Sequence, residues 1–157
     1  MNDVTFDFGF GPVPAHRHKN GGGWIADTAW VYGSAQVSGS ARVYGDAQVS
    51  GSAQVSGSAW VSGSAQVSGS AWVSGSAQVS GSARVYGDAW NLSPLYIQGS
   101  VHSLTNSSYG HLTIGCRTYP FAYWLEHHAA IGRANGYTDA QIVEYGHYID
   151  LFIKVGK

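Results

Sequence analysis

The chain has 157 residues, the size of one compact domain or of a domain with a small appendix. Eight Lys and Arg against nine Asp and Glu give a net charge of -1, which argues against a protein held on nucleic acid or on an anionic membrane by bulk charge. Charged residues make up only 11% of the chain while 22 residues are glycine, so the composition predicts a periodic structure rather than disorder.

The sequence also bears on the compartment. Cys116 is the single cysteine, so no disulfide can form within the chain. The N-terminus, MNDVTFDFGFG, lacks the basic, apolar and small-residue order of a secretory signal, and no apolar run approaches the length of a membrane span. We therefore expect a soluble, cytoplasmic protein without a membrane partner.

Residues 1–23 form a leader with one dense cationic cluster. The cluster is His16, Arg17, His18 and Lys19, followed by Asn20, Gly21, Gly22 and Gly23. Cations beside a glycine-rich backbone that presents N–H groups would cradle a phosphate, although no Walker sequence is present. Two histidines two residues apart supply at most half a metal site, so we predict no metal. The alternatives are an anion or nucleotide site at residues 16–22 and a polar arm that caps the first coil.

From Trp24 to Ala89 the chain repeats every six residues. Eleven hexads each carry Val or Ile in second place and Ala in sixth place, usually with Gly in fourth place. So many glycines disfavour a helix, and period six does not fit 3.6 residues per turn. We predict one short strand and one corner per hexad, with three hexads closing a triangular coil around the valines. The pattern resembles the left-handed β-helix of hexapeptide-repeat proteins, which implies a mainly β fold of about four parallel coils over residues 24–90.

The first place of each hexad points outward and falls into three columns. The columns are Trp24, Arg42, Trp60 and Gln78; Trp30, Gln48, Gln66 and Arg84; and Gln36, Gln54, Trp72 and Trp90. Exposed tryptophans on so small a body predict a contact surface, and Arg42 between Trp24 and Trp60 would add cation–π contacts. We expect a homotrimer, the usual association of the fold that the repeats resemble, in which Trp24, Trp30, Trp60, Trp72, Trp90 and Arg42 form the interface. A heterologous partner is the alternative.

Residues 91–157 have a different composition and predict a small α+β module. Strand-like runs at residues 95–105 and 111–118 surround the turn-rich NSSYG and predict a β-hairpin. The segment FAYWLEHHAAIGRAN predicts a helix that ends at Asn135-Gly136. Thr138 and Gln141 have the spacing of a capping box and open a second helix with Ile142, Tyr145, Ile149 and Phe152 on its apolar face. The predicted order is therefore ββαα.

Within this module His102 and Tyr109 are candidate ligand residues, and no residue is predicted to be catalytic. The tyrosines of the module suit either packing or stacking on a planar ligand. If Thr105 lay opposite His111 in the hairpin, His102 and Cys116 would be diagonal neighbours on one face. A thiol beside an imidazole is a candidate nucleophile, but a single cysteine is more often a small buried apolar residue.

The whole chain from Pro14 onward resembles a group of small phage and prophage proteins. The resemblance is carried by the leader PAHRHKNGGGWIADTA, the hexads VYGSA and VYGDA, and the tail segments SPLYIQGSVH and HLTIGC before a two-helix end. It implies a phage-encoded protein that acts in the bacterial host cell, and it implies no particular activity or cofactor.

Three functions remain open. The first is a non-enzymatic oligomeric binding protein that antagonises host defence, either by sequestering a small nucleotide signal or by covering a defence protein. In it, residues 16–19 would hold phosphate and the module's tyrosines would hold the base. The second is a virion or assembly component that polymerises through its tryptophan faces. The third is acyl transfer, the activity often found on the fold that the hexads resemble. Such enzymes use a histidine near an inter-subunit cleft, whereas this chain has none between His18 and His102.

Overall fold

A computed structural model describes residues 4–157; residues 1–3, the first three of the predicted leader, lie outside the described part. The chain divides into two compact units, one ending at Ser93 and the other spanning Pro94–Lys157. The first is mainly β, and the second combines a sheet with two helices.

The first unit begins with a β-hairpin of β1 (Thr5–Asp7) and β2 (Pro12–Arg17). The Asp7 carboxylate accepts the N–H groups of Gly9 (2.7 Å) and Gly11 (3.0 Å), which closes the turn and lowers the pKa of Asp7. Both glycines have positive φ, which this tight turn requires. β2 then pairs antiparallel with the first strand of the repeats, with His16 opposite Ile25.

The repeats form short strands that stack in parallel into three sheets. The strands are β3 (Trp24–Ala26), β4 (Trp30–Val31), β5 (Gln36–Val37), β6 (Arg42–Val43), β7 (Gln48–Val49), β8 (Gln54–Val55), β9 (Trp60–Val61), β10 (Gln66–Ser68), β11 (Trp72–Val73), β12 (Gln78–Val79), β13 (Arg84–Tyr86) and β14 (Ala89–Trp90). The sheet orders are β1-β2-β3-β6-β9-β12, β13-β10-β7-β4 and β14-β11-β8-β5. The parallel β-helix of about four coils predicted from the hexads is confirmed.

The valines at the second position of each hexad fill the interior of the β-helix, its lumen. Every one from Val37 to Val85 is fully buried, and the sixth-place alanines from Ala29 to Ala83 are buried at the corners, whereas Ala89 in the last hexad is exposed. The side chains alternate along each strand, so the first-place residues point outward. The corner glycines have φ near +65° and stack on one another; a Cβ at Gly63 would lie 2.9 Å from the Gly81 carbonyl oxygen. Two packing requirements therefore explain the regular hexad: the valines must fill the lumen, and the backbones of stacked corners must approach each other closely.

The last coil departs from this register at Trp90. In the third column Trp72 lies opposite Ala89 and Val73 lies opposite Trp90, so this corner is one residue shorter than the others. Gly87 and Asp88 both have positive φ, which tightens the corner. A one-residue shift moves a side chain to the other face of a strand, and Trp90 is accordingly buried, with 2% of its surface exposed. The prediction that Trp90 belongs to an outer interface is wrong.

The second unit contains an antiparallel sheet of four strands, in the order β15-β16-β17-β18. The strands are β15 (Tyr96–Gln98), β16 (Ser103–Ser108), β17 (His111–Ile114) and β18 (Arg117–Pro120). Each strand run predicted from the sequence is thus divided in two, because the loop at residues 99–102 and the turn at Gly115-Cys116 interrupt it.

The predicted hairpin register is also corrected. Thr105 lies opposite Thr113 and Ser108 lies opposite His111, with an irregularity between Asn106 and Ser108. The turn uses only Tyr109 and Gly110, whose φ is +73°, rather than the five residues NSSYG. The prediction assumed a wide turn, and that assumption shifted every opposed pair.

Two helices complete this unit, as predicted: α1 (Phe121–Ala134) and α2 (Asp139–Val155). The capping box of Thr138 and Gln141 is present. The four apolar residues predicted for α2 are all buried, and they share a core with Leu104, Leu112, Ile114 and Trp124. Among residues 4–157, no helix has the length and apolar character needed to cross a membrane.

Candidate functional site

A cavity of about 80 Å³ opens on the second unit between the sheet and the two helices. Its polar lining residues are His102, Cys116, Arg117, His128, Asn135, Tyr137 and Tyr145, and its apolar ones include Ile114, Trp124 and Ile142. Since a water molecule occupies about 10–15 Å³ on this scale, the cavity has room for roughly five to eight waters or for one small ring. A mostly apolar pocket with a few fixed polar groups is the usual form of a small-molecule site.

The loop of residues 99–102 is held around the hydroxyl of Tyr145, which projects from α2. The N–H groups of Val101 (3.1 Å) and His102 (2.5 Å) donate to Tyr145 Oη, and Oη donates to the His102 carbonyl oxygen (2.7 Å). The hydroxyl thus uses its donor and both lone pairs. Gly99 permits this approach, because a Cβ there would lie 2.5 Å from Tyr145 Oη.

A second side chain of α2 holds the same loop. Glu144 accepts the Ser100 N–H at 2.9 Å and the Ser100 hydroxyl at 2.5 Å. These two bonds lower the pKa of Glu144, because both stabilise the carboxylate. The loop that carries His102 to the cavity is therefore anchored at Ser100 and His102.

His102 in turn bonds to Tyr137. Tyr137 Oη lies 2.5 Å from His102 Nδ1, and the two rings are stacked with their centroids 5.9 Å apart. Burial raises the pKa of Tyr137, with further contributions from Tyr145 and Glu144, so the hydroxyl keeps its proton. The hydroxyl and Nδ1 share one hydrogen bond, and the tautomer of His102 determines which of them donates.

Cys116 and Arg117 also line the cavity, at the turn between β17 and β18. Both are exposed, and His102 packs against the adjacent Gly115, where a Cβ would lie 2.9 Å from the His102 ring. His102 and Cys116 were predicted to be diagonal neighbours through a register that proves wrong. They line one cavity nonetheless, because the loop and the turn meet at the same end of the sheet.

Tyr109, the other ligand residue predicted in this unit, lies elsewhere. His102 immediately precedes β16 and Tyr109 immediately follows it, so the six-residue strand separates them. Tyr109 is exposed, and its ring faces the Lys157 ammonium at 6.0 Å. The two residues do not form one site, which corrects the grouping predicted from the sequence.

The cationic cluster of the leader is divided among three intramolecular contacts. His16 Nδ1 lies 2.8 Å from Asp27 Oδ1. Arg17 donates to the Gly22 carbonyl oxygen at 2.6 Å, and its guanidinium lies 4.5 Å from the centre of the Trp24 ring. These contacts direct the two side chains to different neighbours rather than to one anion.

The rest of this segment lies against the first coil. The Gly23 N–H donates to the Val37 carbonyl oxygen (3.0 Å), and the Val37 N–H donates to His18 Nδ1 (3.4 Å). A Cβ at Gly21 would lie 2.6 Å from that carbonyl oxygen, which explains the glycine. Lys19 and Asn20 are exposed, and Gly22 forms the turn by donating to His18.

The first outer column is covered by the N-terminal hairpin. Phe6 stacks on Trp24 with ring centroids 4.4 Å apart, and the Arg42 guanidinium lies 5.4 Å from Phe6 and 5.6 Å from Trp60. Of the two predicted cation–π contacts of Arg42, the one with Trp60 is present, while Phe6 lies where the contact with Trp24 was predicted. This role of Phe6 was not predicted, although the alternation of apolar and polar residues in TFDFGF is its signal.

The other two columns leave tryptophans exposed. Trp30 is 64% exposed and Trp72 is 49% exposed. Trp72 is partly fixed, because its Nε1 donates to Ser56 Oγ at 3.1 Å. These two side chains are the strongest remaining candidates for an interface.

The arrangement defines a β-solenoid repeat protein. A family described as the YdcK beta solenoid repeat matches residues 35–51, 53–69, 65–81 and 77–91, which cover most of the hexads and the two residues that follow them. No curated protein and no solved structure matches the chain. Over residues 4–157, no three His, Cys, Asp or Glu side chains come together in a group that would hold a metal ion.

Proposed function

We propose that this chain is a non-enzymatic, self-associating binding protein in which the solenoid is a rigid scaffold and the second unit binds a small, nucleotide-like ligand. The observation that carries the ligand proposal is the cavity between His102, Tyr137 and Tyr145. Its polar groups are fixed by hydrogen bonds before any ligand arrives, which reduces the entropy that binding would cost.

The chemistry of the lining favours a planar ring with an anionic substituent. Tyr137 and Trp124 offer aromatic surface, the His102 imidazole offers a polar ring, and Arg117 offers a cation with the geometry to bind phosphate or carboxylate. A cavity of about 80 Å³ accepts a base rather than a whole nucleotide, so the remainder would lie across the opening towards Arg117.

Self-association is supported by the exposed tryptophans. Monomers seldom leave such area in water, and a homotrimer would bury Trp72 against neighbouring solenoids. Three copies would also present three ligand cavities, which raises the avidity for a multivalent target.

The biological part of the proposal is an anti-defence role in the cytoplasm of a phage-infected bacterium. It is supported by the resemblance of the leader, hexads and tail to small phage and prophage proteins. A protein of this kind would act by sequestering a nucleotide signal of the host, and the cavity favours this form over the covering of a defence protein.

Ligand binding is tested by thermal unfolding with cyclic and ADP-ribose-type nucleotides. A ligand at about one hundred times its Kd stabilises the folded state by about 2.7 kcal/mol, so the melting temperature rises. We expect Tyr137→Phe and Arg117→Ala to reduce that rise and Arg17→Ala, in the leader, to leave it unchanged. No rise at millimolar ligand contradicts the proposal, and a rise abolished only by Arg17→Ala moves the site to the leader.

Assembly is tested by sedimentation. We expect a mass of three 16.6 kDa chains, reduced to one chain by Trp72→Ala, while Trp60→Ala has a smaller effect because Trp60 is already half-buried. An open distribution of masses would support a virion or assembly component instead. A monomer at all concentrations would contradict both.

A further inference from the structure

The first coil has one strand edge that the rest of the described chain does not cover. In β4, the N–H groups of Trp30 and Tyr32 donate to Ala47 and Val49 of the next coil, at 2.9 and 3.0 Å. Parallel ladders alternate, so Val31 between them directs its N–H and C=O groups away from that coil. β4 is also the last strand of its sheet.

The equivalent groups on the other two faces are bonded. Ile25 is paired with β2, and Val37 is bonded through both backbone groups to Gly23 and His18. Within residues 4–157, no strand pairs with β4 on that side and no group forms a hydrogen bond with the outward backbone groups of Val31. Val31 is also only half-buried, whereas Val37 and the later lumen valines are fully buried. The end of the solenoid is therefore capped on two faces and open on the third.

Two exposed aromatic residues flank this edge: Trp30, and Tyr32, which is 51% exposed. The sheet that contains β3 shows which kind of strand such an edge can bind. There β2 adds to β3 as an antiparallel strand, and Arg17 of the added strand lies over Trp24 at 4.5 Å. Trp30 occupies in β4 the position that Trp24 occupies in β3, yet without such a strand.

We propose that the β4 edge is a docking site for an extended peptide segment of a partner protein, which bonds to the backbone of Val31 and stacks an arginine on Trp30. This mode is β-augmentation, in which main-chain bonds give affinity and side chains give specificity. A second copy paired through its own β4 would not supply the cation, since the hexad WVYGSA has no charged residue. The site is independent of the cavity in the second unit.

The test is a titration of ¹⁵N-labelled protein with a synthetic peptide of the β2 sequence, PVPAHR, up to about 5 mM. We expect shifts of the Val31 amide and of the Trp30 indole resonance, and weaker binding by about two- to fivefold for a peptide with alanine in place of its arginine. Unchanged Val31 and Trp30 resonances at the highest concentration overturn the proposal.

Two variants separate backbone docking from general contact. Val31→Pro removes the edge N–H without breaking an internal bond, whereas Val31→Ala trims the side chain and keeps the donor. We expect binding by the alanine variant and none by the proline variant, with Trp72→Ala binding like the parent protein. Equal binding by Val31→Pro and Val31→Ala overturns the proposal.

Two controls exclude other occupants. Binding that appears only after residues 1–3 are deleted would mean that the chain's own N-terminus fills the edge, which overturns the proposal. Sedimentation of the same samples identifies a second copy: a Val31 amide that becomes protected from exchange as the mass rises, without peptide, also overturns it.

Discussion

The hydroxyl of Tyr145 and the backbone of His102 exchange two hydrogen bonds, the N–H donating at 2.5 Å and the carbonyl oxygen accepting at 2.7 Å. One side chain of α2 thus fixes the position of His102, which lines the cavity. The link joins positions 43 residues apart, so it couples the packing of α2 to the shape of the candidate site.

Tyr145→Phe tests this coupling. Removal of the hydroxyl leaves the N–H groups of Val101 and His102 without a partner, and we expect a loss of about 1–3 kcal/mol in the free energy of unfolding. Hydrogen exchange should show faster exchange of these two amides. Tyr148→Phe is the matched control, because the hydroxyl of Tyr148 interacts with the half-buried Glu144 rather than with buried N–H groups, and it should cost less. Equal losses for the two variants would mean that the loop is held by other contacts.

Asn106 is a second buried polar anchor of the same unit. Its amide donates to the carbonyl oxygens of Ser108, His111 and Lys157, and its oxygen accepts the Lys157 N–H at 2.6 Å. Asn106→Ala leaves several buried groups unpaired, so we expect a loss of about 3 kcal/mol in denaturant unfolding. Asn135→Ala, on an exposed helix end, should cost less than about 1 kcal/mol. A cost for Asn106→Ala as small as for Asn135→Ala would contradict this role.

Protonation of His18 should weaken the cap of the first coil. Burial lowers the pKa of His18 below its ordinary value of 6.5, and His16 and Lys19 add to the effect. The unfolded chain then binds the proton more tightly than the folded one, so the contributed stability is complete above pH 6.5 and is lost as pH falls from there through the folded pKa.

The measurement is the melting temperature between pH 8 and pH 5, taken at intervals of about one pH unit. His18→Asn keeps an acceptor for the Val37 N–H but does not titrate, so its melting temperature should fall less on acidification than that of the parent protein. Parallel curves for the two proteins would show that other groups carry the pH dependence.

Substitution of the corner glycines should destabilise the fold by different amounts, according to the space around each glycine. Gly63 and Gly87 both have positive φ, at 65° and 55°, but a Cβ at Gly63 would lie 2.9 Å from the Gly81 carbonyl oxygen while one at Gly87 would meet only Ser70 Oγ, at 4.0 Å. We expect Gly87→Ala to cost about 1–2 kcal/mol for the backbone alone and Gly63→Ala about 2–4 kcal/mol. Chemical unfolding followed by circular dichroism measures both. Equal costs would contradict the close stacking of the corners.

Local structure could be predicted from the sequence, because it depends on residues that are only a few positions apart. The hexads predicted the lumen, and Thr138 with Gln141 predicted the start of α2. Trp90 was misplaced because a single corner is one residue short, and the signal was the absence of valine at Asn91. The repeat had already ended there.

The cavity was not readable in this way. His102 was a candidate, but its partners Tyr137 and Tyr145 come from the loop between α1 and α2 and from α2, and only the folded unit brings them together. The separate contacts of the leader's cations were not predictable for a different reason. Its cations were counted as one cluster, while Asp27, Trp24 and Val37 each engage a different member.

Substitution of adjacent residues on β10 gives the most direct test of the solenoid on which the assembly and docking proposals depend. Val67 is fully buried in the lumen and Gln66 points outward. An aspartate at Val67 would bury an unpaired charge, so we expect Val67→Asp to lose about 4 kcal/mol or more in the free energy of unfolding, and Gln66→Asp to change it by less than about 0.5 kcal/mol. Similar losses for both variants, or a larger one for Gln66→Asp, would contradict a column filled by valines.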